Sequence, residues 1–216
     1  MVQSVELILD EAAEAEVRRQ WRSLANAGIR SPAPDHRPHI TAAVAREIWP
    51  RLDRPLAALS LPPMPVRLGG LLVFGARRLV LVRLVVPTAE LLALQRDIAE
   101  VVAGCPGIPA TTRPGAWTPH VTLARRLQPG QIETAIDAVA ADRDSAATVV
   151  GIRRWDGDRR TERLIARGGG VHDRPADAGP AEDMHSIPRC TADNDTRGTH
   201  GHPDPDITEF RRDRHR

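Results

Sequence analysis

The chain uses one tetrapeptide pattern twice, as Pro38-His39-Ile40-Thr41 and Pro119-His120-Val121-Thr122, with the two histidines 81 residues apart. In an extended strand, residues i and i+2 point to one face and residue i+1 to the other. Each copy therefore sets an imidazole beside a hydroxyl and turns Ile40 or Val121 the opposite way. Proline lacks an N–H and is tolerated where a strand begins, so each pattern reads as the opening of a strand with a polar front and an apolar back. A fold that accepts this chain must bury two such backs and leave two such fronts accessible.

The rest of residues 1–167 supplies partners for those strands. Residues 4–9 (SVELIL) form an apolar strand candidate, and Val17, Trp21 and Leu24 recur with the period of one helix face before Gly28 and Ser31-Pro32-Ala33-Pro34-Asp35 end the helix. The first motif opens a strand over 39–45. Pro50, Pro55, Pro62, Pro63 and Pro65 make a connector with room for one short helix between Arg51 and Leu59. Aliphatic runs over 66–74 and 79–86, separated by Gly75-Ala76-Arg77-Arg78, read as a hairpin. Thr88 is suited to cap a helix over 89–103, whose Leu91, Leu94, Ile98 and Val101/Val102 line one side. A strand over 119–125, a helix over 129–140 and a hairpin of 147–155 with 161–167 complete the set. Helices mixed with antiparallel pairs predict an α+β domain.

Residues 168–216 differ in kind. Gly168-Gly169-Gly170 opens a segment of Asp, Arg, Gly, Pro and His with few aliphatics and no period, which buries too little apolar surface to offset chain entropy. It is predicted to be a disordered polar tail. Dividing the charges there gives 23 arginines and 18 acids before residue 168 and 7 arginines and 10 acids after it, so a basic body precedes an acidic tail. A mildly basic body suits an anionic ligand such as a phosphate or a short RNA, and is too weakly charged to announce long nucleic-acid binding. His200-Gly201-His202 in the tail offers two metal ligands, but on a loose segment these make a weak site, and a solvated tail is the plainer reading.

Composition excludes several classes of function. Aromatics are 3% of the chain, with no tyrosine, so the core must be aliphatic and no broad platform for stacking bases is expected. Cys105 and Cys190 supply neither a disulfide framework nor a four-cysteine zinc site. Cys105 lies in a Pro/Gly turn with no base beside it, which argues against a thiol nucleophile. No apolar run approaches the roughly 20 residues that cross a bilayer. Glu6 and Asp10 interrupt what a signal peptide would keep apolar. A cytoplasmic protein with no membrane partner is expected.

Two imidazoles and two hydroxyls facing one another suit the cleavage of a phosphodiester without a metal. A neutral histidine takes a proton from the attacking oxygen while a protonated one donates to the departing oxygen, and an ordinary pKa near 6.5 lets both forms coexist at neutral pH. Thr41 and Thr122 are placed to donate to non-bridging phosphate oxygens. On strict alternation Arg37 shares a face with His39, and Arg126 shares one with His120 and Thr122. Arg125 points away unless the strand bulges. Each of these arginines is a candidate phosphate ligand whose plainer reading is a solvated charge. Trp117 and Trp155 are candidates to line the cleft or, more plainly, to anchor packing. His36 has no partner motif and reads as a loop residue.

The two His-x-Thr motifs, in this order of elements, resemble those of the 2H phosphoesterase superfamily, specifically the 2'-5' RNA ligase family. The resemblance extends over about residues 1–167. It implies a bilobal α+β body with pseudo-twofold symmetry and antiparallel sheets lining a central cleft. It implies that His39 and His120 are the acid/base pair and that Thr41 and Thr122 hold phosphate. It further implies action on RNA ends, opening 2',3'-cyclic phosphates to 2'-phosphates or forming 2'-5' linkages, with no metal or nucleotide cofactor. Two features depart from the family pattern: Ala42-Ala43 follow the first motif in place of bulkier residues, and the tail has no counterpart. Hydrolysis of a small cyclic nucleotide-derived diester, and binding of RNA ends without turnover, are the alternative readings. A monomer is expected.

Overall fold

The computed structural model describes residues 2–32, 36–140 and 144–168. The acidic tail, with its histidines and Cys190, lies outside the described residues apart from Gly168. Seven strands and four α-helices follow in the order β1 (Gln3–Leu9), α1 (Glu11–Asn26), β2 (His39–Ala45), α2 (Asp53–Ala57), β3 (Met64–Phe74), β4 (Leu79–Val85), α3 (Ala89–Val102), β5 (His120–Leu127), α4 (Ile132–Ala140), β6 (Ser145–Asp156) and β7 (Thr161–Arg167). Each expected element is present within a few residues. The helix expected over 129–140 begins as a 3-10 turn at Pro129–Gln131, where proline supplies the first helical position.

Local chemistry sets the helix starts. Thr88 caps α3 by accepting from the Leu91 N–H at 3.2 Å, as the sequence suggests. Asp10 caps α1 by accepting from Ala13 N–H at 3.0 Å through one carboxylate oxygen, while the other accepts from Thr148 N–H at the start of β6. One side chain thus satisfies an orphan helix donor and ties α1 to a strand distant in sequence. Gly28, at φ +73°, turns the chain out of α1.

All strand pairings are antiparallel and they form a closed ring, β1-β2-β5-β4-β3-β6 and back to β1, with β7 added on β6. The ring divides into two matching halves, β6-β1-β2 and β3-β4-β5. They meet at two seams, one where β2 pairs with β5 and one where Met64–Leu68 of β3 pairs with Ser145–Val149 of β6. The length of β6 makes this possible, because its first part serves β3 and its remainder lies between β1 and β7. The helices follow the same symmetry. Helix α1 packs on β5 and β6, and α3 packs on β2 and β3, so each covers the motif strand of the opposite half.

The core is aliphatic, as the composition requires. Leu7, Leu9, Leu24, Ile40, Leu81, Leu91, Ile98, Leu123 and Leu127 are fully buried. Ile40 and Val121, the centres of the two motifs, are 0% and 1% exposed, so both strand backs are seated in this core. Among the described residues no helix is long and apolar enough to cross a membrane.

Candidate active site

The first seam decides the geometry of the site. Strands β2 and β5 are antiparallel, with Ile40 directly opposite Val121. Continued by one residue each way, that register sets His39 across from Thr122 and Thr41 across from His120, all four on the face opposite the buried Ile40 and Val121. Residues directly opposite in such a pair have Cβ atoms about 5 Å apart, and diagonal neighbours about 7–8 Å. On that continuation the two imidazoles take diagonal positions across the seam, with a pseudo-twofold axis between the motifs.

Both rings are held the same way. The Nδ1 of His39 lies 2.8 Å from the carbonyl of Arg37, and that of His120 lies 2.7 Å from the carbonyl of Thr118. A carbonyl only accepts, so Nδ1 carries a hydrogen in both rings and Nε2 is left for other partners. The threonine carbonyls are held symmetrically too. Trp21 Nε1–H of α1 donates to the Thr122 carbonyl at 3.0 Å, and Trp117 Nε1–H donates to the Thr41 carbonyl at 2.8 Å. Trp117 is therefore an anchor for the first motif strand.

Burial lowers the pKa of both histidines. For His39, burial outweighs the opposing influence of the Glu6 carboxylate and the Arg37 carbonyl, and the Arg153 and His36 charges add to the lowering. For His120, burial outweighs the Thr118 carbonyl, and the Arg125 charge adds to the lowering. Both rings thus favour the neutral form, in which Nε2 accepts a proton.

The two halves differ in what stands beside the threonines. Glu6 of β1 lies opposite Thr41, and Arg153 of β6 lies opposite Glu6. In the other half the corresponding positions are Val82, opposite Thr122, and Leu72, opposite Val82. Glu6 and Arg153 are each 3% exposed and form an ion pair at 2.8 Å. The second Glu6 oxygen accepts from Ser4 Oγ at 2.7 Å and lies 3.4 Å from His39 Nε2. Arg153 also lies beside the His39 ring, 3.3 Å from Nδ1, where it donates to the same Arg37 carbonyl at 3.4 Å, and it pairs with Glu162. His120 has an aromatic neighbour instead, the Phe74 ring, edge-on with centroids 5.0 Å apart.

The arginines depart from strict alternation. Thr122 pairs with Val82, Ala124 with Leu81 and Arg125 with Val80, so one residue of β5 is bulged between Thr122 and Ala124. The bulge returns Arg125 to the face of His120 and Thr122. Arg126, expected on that face, instead adopts φ +60° at a second irregularity before Leu127. Arg37 is engaged elsewhere: its guanidinium pairs with Glu14, and its contribution at the motif is the carbonyl that holds His39.

A family model for the 2'-5' RNA ligase superfamily matches residues 9–161, well over half of the chain. The chain belongs to the 2'-5' RNA ligase superfamily. Among solved structures it is similar to TT0787 of Thermus thermophilus, at 21% identity and a TM-score of 0.52 over 76% of this chain and 95% of that one. E. coli LigT in its apo form aligns at 19% identity and a TM-score of 0.49, covering 77% and 95%. Kluyveromyces marxianus Usb1 aligns at 11% and 0.44, covering 76% and 97%. No curated protein is significantly similar in sequence.

Within this superfamily member, three site residues escape a reading of the motifs alone. Glu6 carries one signal, a lone charge inside an apolar strand, whereas Arg153 is one of a pair of arginines near the end of β6 and does not stand out. His36 carries none, yet its ring lies 5.4 Å from that of His39 and 6.1 Å from that of Trp155, centroid to centroid. Cys105 is buried. Among the described residues no group of three or more His, Cys, Asp or Glu side chains is arranged to hold a metal ion.

Proposed function

We propose that this protein is a phosphoesterase acting on RNA ends, with His39 and His120 as an acid/base pair around one phosphate. The observation that carries the reading is the pairing of Ile40 with Val121, because that register gives both motifs a common face. A cyclic phosphate seated between them has a ring nitrogen on each side, and the Thr41 and Thr122 hydroxyls are within reach of its non-bridging oxygens. Arg125 supplies a guanidinium on the face of the second motif and Arg126 follows it on the strand. Donors fixed before the reaction stabilise charge that develops in the transition state.

The reaction needs one histidine of each kind. Water attacks phosphorus and gives its proton to one Nε2. The bond from phosphorus to the 3' oxygen breaks, and that oxygen takes a proton from the other Nε2, leaving a 2'-phosphate. With an RNA 5'-hydroxyl in place of water, the same steps form a 2'-5' linkage. We assign the acid to His39, because the Glu6 carboxylate 3.4 Å from its Nε2 favours the protonated ring. His120, facing Phe74 and the Arg125 charge, is the base.

The test is incubation with an RNA bearing a 2',3'-cyclic phosphate in EDTA, which is expected to yield the 2'-phosphate. Loss of either proton-transferring group costs on the order of 100- to 10,000-fold, so His39→Ala and His120→Ala should each fall by that much. Rates retained in both variants refute the reading. RNA-end binding without product over long incubation favours the binding alternative.

A further inference from the structure

A second feature beside the motifs is a cavity of about 370 Å³ whose wall includes Arg30, Arg125, Arg126 and Arg160, with Ser31 and His36. We infer that this cavity is a second phosphate subsite, which takes the phosphate on the 5' side of the terminal nucleotide while the cyclic phosphate lies between His39 and His120. The inference rests on the proposed reaction for its orientation, but its physical basis is separate.

Three observations carry it. Among the described residues, none of these four guanidiniums has an ion pair or hydrogen bond to a carboxylate, whereas Arg19, Arg37, Arg67, Arg153, Arg154, Arg159 and Arg163 all do. Like charges gathered around one concavity repel, and an anion within it relieves that repulsion while accepting charge-assisted, bidentate hydrogen bonds. Secondly, Arg126 and Arg160 are the only non-glycine residues at positive φ among the described residues, at +60° and +51°. Glycine or asparagine fits such positions with less strain, yet arginine occupies both, and both line this cavity. Strained backbone held in this way concentrates at ligand sites. Thirdly, the cavity adjoins the candidate active site, because His36 on its wall stacks edge-on against His39 and Arg125 stands on the face of the second motif.

The ligand chemistry follows from the wall. A cluster of four guanidiniums, with no Phe, Tyr or Trp in the lining, favours a phosphate over a base. The neighbouring subsite then recognises a nucleotide that carries phosphate at both its 2'(3') and 5' positions. A nucleoside with a single phosphate fills only one of the two.

The experiment is equilibrium binding, which does not depend on turnover. Affinities are measured for a nucleoside 2'-phosphate, the matching nucleoside 2',5'-bisphosphate, and a dinucleotide ending in a 2'-phosphate. The proteins are the wild type, the exposed-residue variant Arg30→Gln/Arg160→Gln, and His39→Ala, with thermal melting to confirm folding. The second phosphate should tighten binding about tenfold in the wild type, consistent with one or two charge-assisted hydrogen bonds. The gain should vanish in the arginine variant and persist in His39→Ala. A gain for both larger ligands assigns the subsite to the RNA backbone, and a gain for the bisphosphate alone assigns it to a free nucleotide. An equal gain in wild type and arginine variant, or none in the wild type, overturns the inference. Turnover of cyclic phosphate without the gain would leave the proposed reaction standing and remove the subsite, and the converse result would do the reverse.

Discussion

Replacing Glu6 with glutamine probes the difference between the two halves of the site. The substitution keeps the shape of the side chain and its contact with Ser4 Oγ, and deletes one negative charge 3.4 Å from His39 Nε2. Charge centres in an imidazolium and a carboxylate lie farther apart than their nearest atoms. At about 5 Å and an effective dielectric constant of about 20 the attraction is about 3 kcal/mol, on the order of a hundredfold in the ratio of protonated to neutral ring. Glu6 and His39 are both buried, so solvent screening removes little of this. Arg153 stays beside the ring, held by Glu162, and its charge, no longer offset by Glu6, acts in the same direction. Histidine ring signals followed by NMR through a pH titration should show His39 in Glu6→Gln protonating at distinctly lower pH than in the wild type, with His120 nearly unmoved. Arg153→Gln should move His39 the other way. Opposite displacements by neighbouring substitutions cannot come from loosened packing. An unchanged or more basic His39 in Glu6→Gln, or an equal change at His120, refutes the assignment of His39 as the acid.

Three further outcomes follow from the same geometry. Both histidines have folded-state pKa values below their ordinary value of 6.5, so the unfolded chain binds their protons first. Their stabilising contribution is complete above about pH 6.5 and is lost as pH falls from there through the folded values; urea unfolding at pH 8.0, 6.5 and 5.5 should show declining stability, and His39→Asn should flatten the slope. A bound oxyanion favours imidazolium, so binding takes up protons, and sulfate, whose own charge is constant over this range, should bind up to about tenfold more tightly per unit fall in pH below neutrality; affinity independent of pH would contradict a site between the rings. Ile40→Ala removes a fully buried side chain at the β2–β5 seam and should cost about 2–5 kcal/mol in denaturant unfolding, with a loss of activity larger than that of an equally destabilising truncation at Leu24.

The elements of this fold are legible in the sequence because they rest on local periodicity. Apolar runs, prolines and the Thr88 cap locate strands and helices, and the spacing within each motif places an imidazole beside a hydroxyl. What joins the halves is not legible. Ile40 and Val121 meet only because the ring closes, and closure depends on β6 giving its first part to β3 and its remainder to β1 on one edge and β7 on the other. Strict alternation misplaces the arginines for a physical reason: a bulged residue after Thr122 reverses its phase, so Arg125 takes the face assigned to Arg126. Arg37 is drawn off by Glu14, a half-buried acid 23 residues earlier on α1. Glu6 stands out as a charge in an apolar strand, but its partner Arg153 lies 147 residues away and only the register of β1 with β6 connects them.

The central claim is that both motifs grip one anion, and a crystal structure with tungstate, a phosphate mimic, bound in solution before crystallisation tests it most directly. A single oxyanion within hydrogen-bond distance of Nε2 of both His39 and His120, with Thr41 and Thr122 hydroxyls on its remaining oxygens, is the predicted result. Density for the ion beside one motif alone, or with the two rings directed at separate ions, would contradict it.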